Sequence, residues 1–99
     1  MAHSYKVTDY ITATGSGAKE AYNSAKQILT AWQTHYNKKT SLLATKKYII
    51  IETLVHASFQ DVLDNLDVQK LADAKITEKV AACYILTDSR YMFVTFERN

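Results

Sequence analysis

Ninety-nine residues supply one domain's worth of chain, enough for a single core and too few for a second domain or a large internal substrate cavity. With 47% hydrophobic and 22% charged residues, the composition is that of an ordinary globular protein and excludes a disordered one. The net charge of +2 is weak, but its sign changes along the chain: seven lysines face two acids in residues 1–50, and five basic residues face eight acids in 51–99.

Tyr5 to Thr14 alternates and is rich in Tyr, Val, Ile and Thr, which predicts a strand with Tyr5, Val7, Asp9, Ile11 and Ala13 on one face. Gly15-Ser16-Gly17 breaks it. A helix follows over 18–36. Its apolar residues Ala18, Ala21, Tyr22, Ala25, Ile28, Leu29, Trp32 and Tyr36 recur at i, i+3 and i+4, so Ile28, Trp32 and Tyr36 are expected against the sheet. Residues 37–47 form a polar, basic connection that encloses Leu42 and Leu43. From Lys47 to Phe59 both periods fit. The β-branched run Ile49-Ile50-Ile51 favours a strand. Ser58 with Asp61 signals a helix start over 59–66, and Asp67 can cap a further short turn through Ala74. Residues 79–86 and 90–98 read as two strands joined by a short hairpin loop at Thr87–Arg90. The whole predicts one α+β domain over residues 1–99: a mostly antiparallel sheet with helices on one face, in the order β-α-β-α-β-β.

Four groups of residues bear on function. The turn Gly15-Ser16-Gly17 with Lys19 is a candidate anion-binding helix start, although it lacks the spacing of a phosphate loop. Lys38, Lys39, Lys46, Lys47 and Tyr48, with Trp32, His35 and Tyr36 nearby, combine counterion-releasing charge with aromatic rings. That combination suits a nucleic-acid or phosphate ligand. The acidic series Asp61, Asp64, Asp67 and Asp73 reads as a solvated helix face. His56, Ser58 and Asp61 offer a histidine, a hydroxyl and a carboxylate, but capping explains the last two better. His3, His35, His56 and the single Cys83 have no metal-ligand spacing, and no cofactor motif is present.

The last strand is apolar on both faces, so Tyr91, Phe93 and Phe96 are candidate interface residues of a homo-oligomer. The longest apolar run, Val80 to Leu86, is far too short to cross a bilayer, and the first residues lack the apolar stretch of a secretory signal. One cysteine precludes an internal disulfide and suits the cytoplasm. The expectation is a small, non-catalytic binding or regulatory protein that acts through protein contacts as a homodimer. Nucleic-acid binding through residues 32–48 is the alternative.

Overall fold

The computed structural model describes residues 5–37 and 40–98. Its elements in chain order are β1 (Tyr5–Thr14), α1 (Ala18–Tyr36), a short 3₁₀ helix (Ser41–Ala44), β2 (Lys47–His56), α2 (Phe59–Asp64), α3 (Val68–Asp73), β3 (Val80–Leu86) and β4 (Arg90–Arg98). The class is α+β, as the patterning predicts. The strands form one mixed sheet in the spatial order β1-β4-β3-β2. β1 with β4 and β4 with β3 are antiparallel, and β2 with β3 is parallel. The first and last of the described residues therefore pair, Tyr5 opposite Arg98.

The helices lie on both faces of the sheet, where the sequence reading puts them on one. β1 and β2 occupy opposite edges, so the connection through α1 crosses the whole sheet. The connection from β2 through α2 and α3 to β3 comes back. Crossovers between parallel strands are right-handed, and right-handed crossovers in opposite directions must use opposite faces. On one face Ala21, Tyr22, Ala25 and Leu29 of α1 pack with Ile11, Ala13, Ala81, Cys83 and Phe93. On the other, Val62 of α2 and Leu71 of α3 pack with Val80, Ala82, Tyr84, Leu86, Met92, Val94 and Phe96. Both faces of β3 and β4 are thus covered by the chain itself, which accounts for strands with no polar face.

Two irregularities re-aim side chains. In β1 the register shifts between Val7 and Asp9, leaving Thr8 as the extra residue. Tyr5 and Val7 consequently join the α2/α3 side, while Ile11 and Ala13 join the α1 side. Strict alternation puts all four together. The Thr8 hydroxyl is tied into the bulge by Thr95 Oγ1 at 2.8 Å and Ser41 Oγ at 3.1 Å. In β2 the ladder to β3 is regular from Lys47 to Ile50 and resumes only at Val55, where five steps along β2 match two along β3. The intervening segment, residues 51–54, bows away from its neighbour.

α1 lies over β1 and β4, and its last turns, beyond the buried Leu29, leave Trp32 and Tyr36 exposed, while Ile28 sits exposed at the rim of the apolar stripe; all three are corrected from their expected place in the core. Asn37 ends the helix in the left-handed conformation. The Lys26 ammonium donates to the carbonyls of Leu43 and Thr45, which ties the returning chain to the helix. The Tyr22 and Thr45 hydroxyls meet at 2.6 Å beneath it.

Candidate functional site

The glycine turn is a packed corner. The Gly15 amide donates to the Ser89 carbonyl of the β3–β4 hairpin. A Cβ at Gly15 falls 2.6 Å from the Ala21 backbone nitrogen, so glycine is required for this close approach. Gly17 stands at the helix start in an extended conformation without a side-chain cap. Ser16 and Lys19 are exposed.

The basic and aromatic residues are only partly brought together. Lys46 and Lys47 are exposed, and Lys38 and Lys39 lie outside the described residues. The Tyr48 ring turns inward, 5.0 Å from Tyr22 and 5.8 Å from Phe93 between ring centres. Trp32 and Tyr36 instead stand outside, 41% and 75% exposed.

Of the expected interface residues, Phe93 and Phe96 are fully enclosed and Tyr91 is half-buried. The cover that the two-sided apolarity of β4 calls for comes from α1 on one face and α2 with α3 on the other. Phe93 and Phe96 are therefore not on the subunit surface.

Among the described residues, the ion pairs with side chains on both partners gather around His56. Capping brings this group together. Ser58 accepts from the Asp61 amide at 3.2 Å and starts α2, and Asp67 accepts from Gln69 and Lys70 and starts α3. These caps point Asp61 and Lys70 back toward the end of β2. His56 is buried, with Nε2 2.6 Å from Glu52 Oε1 and Nδ1 3.3 Å from Asp61 Oδ2. Lys70 donates from Nζ to the second Glu52 oxygen at 2.6 Å. The Lys70 hydrogen bond, helped by His56 and opposed by burial, holds the Glu52 carboxyl below the usual carboxylate range. The same bond raises Lys70. Tyr84 closes the group from β3, its ring edge-on to His56 at 6.1 Å. The Tyr84 hydroxyl is buried without a hydrogen-bond partner, and burial pushes its ionisation upward.

His56 and Asp61 stand out in the sequence, whereas Glu52, Lys70 and Tyr84 do not. The available signal for Glu52 is a lone carboxylate after Ile49-Ile50-Ile51, four residues before a histidine. Lys70 reaches it only because α3 folds back over the bow of β2.

This arrangement locks elements together rather than presenting reactive atoms. A hollow of about 330 Å³ is lined by Ile76, Thr77, Glu78, Lys79 and Glu97, and it shares no residue with the His56 group. Among the described residues no three His, Cys, Asp or Glu side chains are placed to hold a metal ion. Cys83 is enclosed in the core, and burial pushes its thiol up to about 12. Among the described residues no helix is long and apolar enough to cross a membrane. Comparison with family models, with curated proteins and with solved structures finds no match for this chain.

Proposed function

We propose that this chain is a small binding or regulatory protein that works through protein contacts, assembling as a homodimer across the outer edge of β2. The observation that carries this reading is the surface of that edge. Ile50, Leu54 and Val55 are 43%, 62% and 53% exposed, three large aliphatic side chains within six positions. Edge strands are ordinarily guarded by outward charges. Here the only carboxylate of β2, Glu52, is drawn inward to His56 and Lys70. β1, at the opposite edge, presents Lys6, Thr8, Tyr10 and Thr14 to solvent and offers no comparable patch. A two-fold arrangement lets the same apolar bow on each copy cover the other. The bow interrupts ladder pairing, so the contact is side-chain packing rather than an extended sheet. The buried, uncharged Cys83 suits a cytoplasmic setting.

Sedimentation velocity over a range of concentrations tests the reading. The wild type is expected to reach dimer mass, and a Leu54→Glu, Val55→Lys double variant to remain monomeric with an unchanged circular dichroism spectrum. A wild type that stays monomeric at all concentrations overturns the proposal, and so does a variant that keeps the dimer.

One observation favours a second reading, nucleic-acid binding at the end of α1. Trp32 and Tyr36 are exposed rings, and Lys46 and Lys47 are exposed lysines, the combination that single-stranded ligands use. Trp32 is the only tryptophan, so its fluorescence reports contact directly. This reading expects quenching by an oligonucleotide that weakens steeply between low and moderate salt. Absence of quenching at low salt removes it.

A further inference from the structure

We infer that His56 is a protonation-dependent latch that holds the bowed segment of β2, residues 51–54, against α2. The inference stands independently of whether that segment is an interface. It starts from donor and acceptor counting. Each ring nitrogen of His56 faces a carboxylate oxygen, Glu52 from β2 itself and Asp61 from the first turn of α2. A carboxylate only accepts, and a neutral imidazole has one N–H and one lone pair. Only the imidazolium form satisfies both contacts. Loss of the ring proton turns one nitrogen lone pair toward a carboxylate, and one of the two contacts must open.

The surroundings decide which contact opens. Glu52 is gripped from its other oxygen by Lys70 of α3 and lies 2.6 Å from the ring. Asp61 is more exposed and sits at 3.3 Å. Its remaining partner is the Asn65 amide within α2. Asp61 is therefore the group released. From β3 the ring meets Tyr84, whose hydroxyl stays protonated. Just beyond, Arg90 of β4 donates to the Ala57 carbonyl. Glu52 and Lys70 are each shifted toward their charged forms and keep those charges across the neutral range. Histidine is the side chain that ordinarily changes charge between pH 5 and 8.

The latch matters because of where it acts. The β2–α2 connection is only Ala57 and Ser58; the Asp61 contact bridges it from α2 to His56, and the Glu52 contact carries it on from His56 into the bow. Opening the Asp61 contact frees the first turn of α2 from His56 and gives residues 51–54 room to move, while Val62 stays in the core and α3 stays joined to Glu52 through Lys70.

Amide hydrogen exchange from about pH 5.5 to 8.5 on dilute protein tests the latch, with amides of β4 as the internal reference for the intrinsic rise with pH. Exchange in residues 51–54 and 59–64 is expected to increase about tenfold relative to β4 as pH rises, the scale of losing one charge-assisted hydrogen bond. Asp61→Asn supplies a side chain that either accepts from or donates to the ring, so the step with pH is expected to vanish while the fold is retained. His56→Gln is expected to do the same, and Asp61→Asn keeps the test decisive if that variant does not fold. A wild type with no step relative to β4 overturns the inference. A step that persists unchanged in Asp61→Asn also overturns it.

Discussion

Phe93→Ala is expected to lose about 3–5 kcal/mol of folding stability, read as a fall in the urea midpoint at constant slope. Phe93 is completely enclosed in the second strand of the sheet, and its ring lies 5.3 Å from Tyr22 of α1 and 5.8 Å from Tyr48 of β2. The three rings of Tyr22, Tyr48 and Phe93 are in mutual contact. Tyr22 is held in turn by its 2.6 Å hydroxyl contact with Thr45, so it does not collapse cheaply into the space left. A domain of this size has about 5–15 kcal/mol in all, so the variant sits near the limit of folding. A loss below about 1 kcal/mol shows that α1 does not close this face.

Leu29→Ala and Ile28→Ala, one residue apart on α1, are expected to separate sharply. Leu29 is buried in the cluster that α1 forms with the sheet and Leu42, and its truncation is expected to cost about 2–5 kcal/mol. Ile28 is 37% exposed at the rim of the stripe, about 100° around the helix from Leu29, and its truncation is expected to cost under about 1 kcal/mol. Thermal and urea unfolding of the pair measure both. Equal losses mean that the helix is rotated about its axis from the orientation described.

The contrast between those neighbours marks the boundary of what the sequence makes legible. Local signals transfer well. The Gly15-Ser16-Gly17 break, the Ser58 and Asp67 caps, and the alternation of β1 and β4 locate the elements, because each depends on residues within one or two turns of itself. The helical period correctly draws one apolar stripe along α1, but it carries no information about how wide the covered strip is or where the sheet beneath ends. Ile28, at the rim of the stripe, and Trp32 and Tyr36, beyond the buried Leu29, therefore read as core and are exposed. Which face each strand residue takes is equally non-local. Thr8 inverts the facing of Tyr5 and Val7 through a bulge whose hydroxyl partners, Ser41 and Thr95, are 33 and 87 residues away. The two-layer expectation fails for a topological reason: the strand order, not the composition of any helix, sends α2 and α3 to the opposite side. The same return path delivers Lys70 to Glu52, so half of the His56 group is invisible until the crossover is known.

The pairing of Tyr5 with Arg98 has a bearing on how the fold closes. β1 joins the rest of the sheet only through β4, and the paired residues of the two strands are roughly 75 to 95 positions apart, so their ladder closes a long loop. β2, α2, α3 and β3 meet through contacts closer in sequence. β4 supplies Phe93 to the α1 side and Met92, Val94 and Phe96 to the other, so its docking completes two cores in one cooperative step.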